Sequence, residues 1–239
     1  MDDLTEDALL GGRVRLLQPR RGYRVAVDAV LLAAAVDAKA GQRVLDLGAG
    51  VGSVGLCLVA RVPGVDVTGI ELQPAFAALA QRNAGLNGAQ DRVRTRVHDL
   101  AYALPEDLAG FDHVASNPPY LAAAVADPSP DPGKALATVE SSAGLARWLS
   151  LATGALKPQG TLTLIHRSDR LAEIATLLAG LGWGDLAIKT LPPAARVLVR
   201  ARKGASRRYD SEPLRLHREE GGYTEAAEAV LRHAAPLAF

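Results

Sequence analysis

Asn117-Pro118-Pro119-Tyr120 brings together residue types able to hold a planar –NH2 group. Proline has no backbone N–H, so Pro118 and Pro119 offer carbonyl acceptors and no donors, and their ring-fixed φ sets where those carbonyls point. The residue before a proline is pushed to an extended conformation, which limits where Asn117 points. The Asn117 side-chain oxygen and the Pro118 carbonyl can then accept both hydrogens of one amine, with Tyr120 placed to stack on the flat group that carries it. This chemistry suits methyl transfer to an exocyclic amine or an amide, whose delocalised lone pair must be drawn back onto nitrogen. No general base is required beforehand. Taken alone, the tetrapeptide also reads as a proline-stiffened turn, and the upstream residues decide between the two.

Upstream, Val44-Leu-Asp-Leu-Gly-Ala-Gly-Val-Gly-Ser-Val-Gly55 reads as a short apolar strand, a glycine turn and a helix running to about Arg61. Glycines let backbone approach a ligand closely, and a helix N-terminus offers free N–H groups. Gly50-Val-Gly-Ser-Val-Gly55 also satisfies the dinucleotide fingerprint, so a nicotinamide enzyme enters as an alternative. Asp46 argues against it: a carboxylate at that strand end disfavours a pyrophosphate and suits a cationic or amino-bearing ligand. A second strand, Val65 to Ile70, ends in Glu71, where an acid serves ribose hydroxyls in either cofactor class. A third, Arg92 to Val97, ends at His98-Asp99-Leu100, which places Asp99 to accept from an adenine amine. The fourth, Phe111 to Ser116, ends at the acceptor tetrapeptide. Any one of these acids alone reads as a solvated loop residue, but three at successive strand ends form a pattern, since open α/β sheets bind ligands outside the carboxyl ends of their strands.

These residues carry a family resemblance. Asp46-x-Gly48-x-Gly50, Glu71, Asp99 and Asn117-Pro-Pro-Tyr120 resemble the successive motifs of class I S-adenosylmethionine-dependent methyltransferases of the amino-methylating kind. The stretch Gln18 to Asp28, the following Ala-Val-Leu-Leu-Ala33, and Leu214-Arg-Leu-His with Gly222-Tyr-Thr224 are similar to the bacterial tRNA(Val) adenine-N6 methyltransferase group, and the likeness covers nearly the whole chain. It implies S-adenosylmethionine as cofactor, with Gly48 and Gly50 at its methionine part, Glu71 at the ribose, Asp99 and Leu100 at the adenine, Asn117 at the target amine and Asp28 near the cofactor. In one respect the chain departs from the group: the Ala-, Asp- and Pro-rich stretch from Tyr120 to Gly133 offers few residues with which to read a base.

A chain of 239 residues suits one α/β domain with a sizeable core. The expected architecture is a doubly wound, mostly parallel seven-stranded sheet with an antiparallel edge strand. Residues 1–40 are expected to pack on the cofactor site and 41–239 to form the catalytic core. Further strands are expected at Gly160–Ile165, Asp185–Lys189 and Arg196–Ala201, the last two as an antiparallel pair, and helices at Ser141–Ala155 and Ser168–Gly180. Residues 126–133 read as a loop, either a substrate lid or a surface excursion. The lone Cys57 allows no internal disulfide, and the five histidines show no ligand spacing, so no metal is expected. The acidic N-terminus and the absence of a long apolar run predict a cytoplasmic protein without a membrane span.

Net charge is only +1, yet the arginines are bunched. Residues 13–24 hold five without an acid, and residues 196–218 hold eight basic residues, Arg207 and Arg208 among them, against Asp210 and Glu212. With Tyr23 and Tyr209 nearby, these segments suit a phosphate backbone and a stacked base, although solvated basic faces are the plainer alternative. The leading reading is therefore N-methylation of an adenine amine in structured RNA, with tRNA the favoured class. Three enzyme alternatives share the chemistry: glutamine methylation of release factor, DNA adenine methylation and rRNA guanine methylation. The release-factor enzymes carry a helical N-terminal domain for which the stretch before Val44 is too short. An RNA-binding module that retains the cofactor fold without activity is the alternative from another class.

Overall fold

In a computed structural model the chain is described over residues 3–22, 24–120, 143–203 and 208–239. Short apolar runs, buried on both faces, build the centre of the sheet, as expected of strands covered by helices on either side, whereas the rim strand over Val93–Val97 is largely exposed. Its strands are β3 (Arg43–Leu47), β4 (Asp66–Glu71), β5 (Val93–Val97), β6 (Phe111–Ser116), β7 (Leu156–Arg167), β8 (Trp183–Thr190), β9 (Arg196–Lys203) and β10 (Arg208–Asp210). They lie in the order β10-β8-β9-β7-β6-β3-β4-β5, all parallel except β9, which runs against both β7 and β8. The seven-stranded, mostly parallel sheet of the sequence reading is thus present, with two refinements. The reversed strand lies between β8 and β7 rather than at the rim, because β8 pairs along its outer side and runs in the same direction as β7. The short β10 adds an eighth strand outside β8.

Helices α2 (Ser53–Arg61), α3 (Pro74–Leu86), α4 (Leu145–Ala155) and α5 (Leu171–Gly180) follow β3, β4, β6 and β7 in chain order. The expected helices at 141–155 and 168–180 begin later, at Leu145 and Leu171, the second behind a 3-10 turn over Ser168–Arg170. The switch point lies where β3 is flanked by β4 on one side and β6 on the other, with Asp46 opposite Gly69 and Leu47 opposite Ser116. Asp46, Glu71 and Asn117 therefore reach the same edge of three adjacent strands.

The chain before β3 forms a hairpin of β1 (Leu4–Leu9) and β2 (Val14–Pro19), then helix α1 (Val27–Ala35). The hairpin buries Val14 and Leu16 and is tied to α3 by Asn83. The Asn83 side chain accepts from the Leu17 N–H and donates to the Leu17 and Val51 carbonyls, joining β2 to the glycine turn. A last helix, α6 (Glu225–His233), is capped by the Thr224 hydroxyl, which accepts from the Ala227 N–H. The chain beyond it returns to the N-terminal region: the Leu237 N–H donates to the Ala34 carbonyl, and Arg13 donates to the Arg232 carbonyl at 2.6 Å.

Gly69 is a tight point of this frame, since a Cβ there would lie 2.7 Å from the Ala49 Cβ in the glycine turn. Gly69→Ala is expected to lower unfolding free energy by about 1–3 kcal/mol, the usual cost of overpacking. Urea denaturation checks it, and an unchanged midpoint would mean that the turn yields without cost.

Candidate active site at the carboxyl edge of the sheet

The glycine turn between β3 and α2 folds as it does because Gly48, Gly50 and Gly52 all take positive φ (79°, 55° and 85°), a conformation that costs glycine little. A Cβ at Gly48 would come within 2.6 Å of the Trp148 ring, whereas one at Gly50 would meet nothing within 4 Å. The turn is thus walled by an indole at its first glycine and open at its second. Glu71, the last residue of β4, holds the turn from the side. Its Oε2 accepts from the Gly50 N–H at 2.8 Å and its Oε1 from the Gln73 N–H at 2.9 Å.

Glu71 is 6% exposed and Asp46 2%, so two carboxylates sit side by side in a dry setting. Burial pushes the Glu71 carboxyl up while its backbone donors pull it back down. Asp46 has no such relief. Burial, aided by the negative charge of Glu71, raises its carboxyl to about 7. Such a pair favours a ligand that brings positive charge or several donors, and it is hostile to a pyrophosphate. Beyond β5, the Asp99 Oδ1 accepts from the Ala101 N–H, and Leu100 is buried with its carbonyl taking a bond from Arg147 Nε at 3.3 Å. Acids at two strand ends, an open glycine cradle and a further acid at the third strand end fit S-adenosylmethionine, which carries a cationic amine, ribose hydroxyls and an adenine amine. Gly48, Gly50, Asp46, Glu71, Asp99 and Leu100 are the residues available to hold it.

Past β6, Asn117 stands beside the glycine turn, since Ser116 pairs with Leu47 and its hydroxyl donates to the Leu47 carbonyl. Among the described residues, the Asn117 Oδ1 is buried with no hydrogen-bond partner. A buried acceptor left unpaired costs about 1–3 kcal/mol, so its retention points to a donor that arrives with a ligand. Pro118 is buried after it. Tyr120 is engaged within the protein: its hydroxyl donates to the Asp28 Oδ2 at 2.7 Å, and the Arg196 guanidinium lies 4.4 Å over its ring. The structure therefore joins Asp28 to Tyr120.

Sequence reasoning missed several neighbours. His166, near the end of β7, meets the Tyr120 ring at 5.2 Å and a steep 69°. Burial and the nearby Arg170 hold its imidazole down to about 4, so it stays neutral. Its position at a strand end beside β6 was a usable signal, overlooked because histidines were weighed only as metal ligands. Trp148 and Arg147 lie on a helix whose approach to the glycine turn is set by tertiary packing, and they left no local signal.

The arginine segments read differently in three dimensions. Arg15, Arg20 and Arg24 pair with Glu6, Asp3 and Asp7 of the first strand region, at 2.7–2.8 Å. The positive run at 13–24 is thus largely offset by acids just upstream in sequence. In the second segment Arg196 bonds to Asp28 and Arg200 lies over the Phe239 ring, while Arg215 and Arg218 are exposed. Tyr23, Arg207, the 126–133 loop and the side chains of Lys203, Arg208 and Tyr209 lie outside the described residues. Among the described residues, no group of three or more His, Cys, Asp or Glu is placed to hold a metal ion, and no helix is long and apolar enough to cross a membrane.

Residues 24–130 match the family described as methyltransferase small domain. A tRNA1(Val) (adenine(37)-N6)-methyltransferase of Porphyromonas gingivalis is 36% identical over 158 residues, which cover 63% of this chain and 61% of that protein. The enzyme of the same name from Shewanella amazonensis is 32% identical over 218 residues, covering 88% of this chain and 91% of its own length. Among solved structures, a protein of Agrobacterium tumefaciens described as a predicted O-methyltransferase superposes with a TM-score of 0.73 at 29% identity, over 89% of this chain and 99% of that one.

The raised Asp46 carboxyl has a measurable sign. An acid whose folded pKa lies above its unfolded value of 3.8 stabilises the fold below that pH and loses the contribution as pH climbs towards about 7. His166, held down to about 4, acts in the opposite sense over the same window, so the wild-type curve mixes the two. Asp46→Asn should gain stability relative to wild type by a few kcal/mol between pH 4 and pH 7. Urea unfolding at several pH values checks this, and parallel curves for the two proteins would refute it.

Proposed function

Because the chain belongs to the family of the tRNA1(Val) (adenine(37)-N6)-methyltransferases, we propose that it methylates the exocyclic amine of an adenine in tRNA, the N6 of adenine 37 in tRNA1(Val) being the substrate that the relatives' names specify. The observation that carries the reading is the buried, unpartnered Asn117 Oδ1 at the end of β6. That acceptor, with the carbonyl of Pro118, suits an amine presenting two hydrogens. S-adenosylmethionine, when bound, supplies a methyl group on a sulfonium. Asp46 and Glu71 take its amino and ribose donors, Asp99 and Leu100 flank its adenine, and Gly48 and Gly50 admit it close to the backbone. Asn117 and Pro118 would then align the target amine and draw its lone pair onto nitrogen, so that the N–CH3 bond forms as the S–CH3 bond breaks, the thioether S-adenosylhomocysteine leaves and the nitrogen sheds one proton to water; catalysis consists mainly of positioning. The residues before β3 are read as part of one methyltransferase domain with the core, in a cytoplasmic enzyme. The target base must leave its stack to reach the site. Methylation of a hydroxyl is a poorer fit, because a hydroxyl offers one hydrogen where the two acceptors suit an amine's two.

Asn117→Ala should abolish turnover while leaving affinity for S-adenosylhomocysteine largely intact, because the side chain it removes holds the group whose bonding changes in the transition state. Labelled S-adenosylmethionine offered in parallel with tRNA, genomic DNA and release factor identifies the substrate. Label appearing in release factor and not in tRNA would overturn the reading.

We take Arg215 and Arg218 as phosphate ligands, with the rest of the segment 196–218 and residues 13–24 contributing where they are not paired internally. Replacing Arg215 and Arg218 with alanine should flatten the slope of log tRNA affinity against log salt by about 0.7–0.9 for each phosphate that is no longer neutralised. A slope equal to that of wild type would assign both arginines to a solvated face.

A further inference from the structure

Three residues to which the sequence gives separate roles meet at one atom. Asp28 comes from the first turn of α1, Tyr120 from the end of the acceptor tetrapeptide, and Arg196 from the first position of β9. The Asp28 Oδ2 accepts from the Tyr120 hydroxyl at 2.7 Å and from the Arg196 Nε at 3.1 Å, while the guanidinium of Arg196 lies 4.4 Å above the Tyr120 ring. A guanidinium is planar and always charged, so it stacks on an aromatic face and donates in its own plane at once, which an ammonium cannot do. Arg196 is thus fixed at two points, by its face on the ring and by its edge on the carboxylate that holds the ring's hydroxyl.

The ion pair is not the reason for this arrangement. The Arg196 and Asp28 side chains are 29% and 17% exposed, and pairs in contact with water contribute little to stability. Geometry is what the triangle supplies. A tyrosine on a loop ending has freedom about its side-chain torsions, and anchoring the hydroxyl alone still leaves the ring able to turn about its long axis. The His166 ring meets Tyr120 edge to face at 5.2 Å, and a planar cation on one face narrows that freedom further. It also occupies that face, so a base arriving at Tyr120 must use other surface of the ring or displace Arg196.

Resting on the methyltransferase reading above, we propose that Arg196 is a positioning residue that sets the attitude of the Tyr120 ring through Asp28, and is not one of the phosphate ligands of its arginine-rich segment. A phosphate ligand and a positioning residue differ in what they disturb. Removing a phosphate ligand raises KM for tRNA and flattens the salt response. Removing a positioning residue misaligns the bound base and lowers kcat, by roughly 10- to 100-fold where misplacement approaches an ångström.

The test uses the full chain with Arg196→Ala and Arg196→Lys. The expected result for both is a fall in kcat of roughly 10- to 100-fold, with KM for tRNA within about threefold of wild type and an unchanged salt slope. Lysine should not rescue, and guanidinium ion at concentrations that leave wild type folded should partly restore Arg196→Ala. In protein carrying ring-labelled tyrosine, the Tyr120 resonance, identified by its loss in Tyr120→Phe, should shift in Arg196→Ala and return with guanidinium. A rise in KM with a flattened salt slope would overturn the proposal in favour of a phosphate ligand. An unmoved tyrosine resonance would overturn it as well, as would lost activity that tracks lost thermal stability and resists guanidinium. Were wild type inert towards tRNA, DNA and release factor, the methyltransferase reading would fall, and the tyrosine resonance alone would then decide the assignment of Arg196.

Discussion

Two carboxylates are buried next to each other at the ends of β3 and β4, and much of the surrounding backbone serves to make that tolerable. A buried acid survives as an anion only with donors, and Glu71 finds them in the Gly50 and Gln73 N–H groups. For the Gly50 amide to point there, the turn must pass through positive φ at three glycines, and Gly69 must lack a Cβ so that Ala49 can approach β4. The glycine run is therefore as much a consequence of Glu71 as a feature of ligand approach. Asp46 has no comparable partners among the described residues, and burial beside Glu71 raises its carboxyl. An environment of this kind suits a ligand that brings positive charge.

The other half of the site is of another sort. Asn117 lacks a donor rather than a counter-charge. The acids beside the glycine turn and the neutral acceptor beside β6 thus differ in kind, the first suited to charge and the second to the shape and number of a donor's hydrogens. Neutral acceptors suit an amine that is only weakly basic before it reacts, since a carboxylate in their place would hold a cation and favour the wrong partner.

The parts of this arrangement legible in the sequence were those in which one strand and the residue just past it carry the signal. Buried parallel strands read as apolar runs, and their ends were marked by Asp46, Glu71, Asp99 and Asn117. What remained illegible depended on distant pairing. The hairpin was hidden because Thr5-Glu6-Asp7 and the arginines of residues 13–24 look like two unrelated charged stretches until the cross-strand register places Glu6 opposite Leu17 and Asp7 opposite Leu16, with Arg15 reaching back to Glu6. The inward place of β9 and the extra strand β10 were hidden for the same reason, because strand order is not encoded in any one strand. Arg196 lies 168 positions from Asp28, and a run of neighbouring arginines masked its separate surroundings.

The closing of the C-terminal stretch onto Ala34 and Arg13 has a bearing on how the protein is made. Chains emerge from the ribosome N-terminus first, yet Arg13, β2 and α1 have partners in Arg232, Asn83 and Leu237, as many as 219 positions later in the sequence. Residues 13–35 therefore leave the tunnel before several of the groups to which they bond. The Arg13–Arg232 and Ala34–Leu237 bonds can form only after residues 232 and 237 have been made, so the N-terminal segment gains these partners after every strand that lies between them in the sequence.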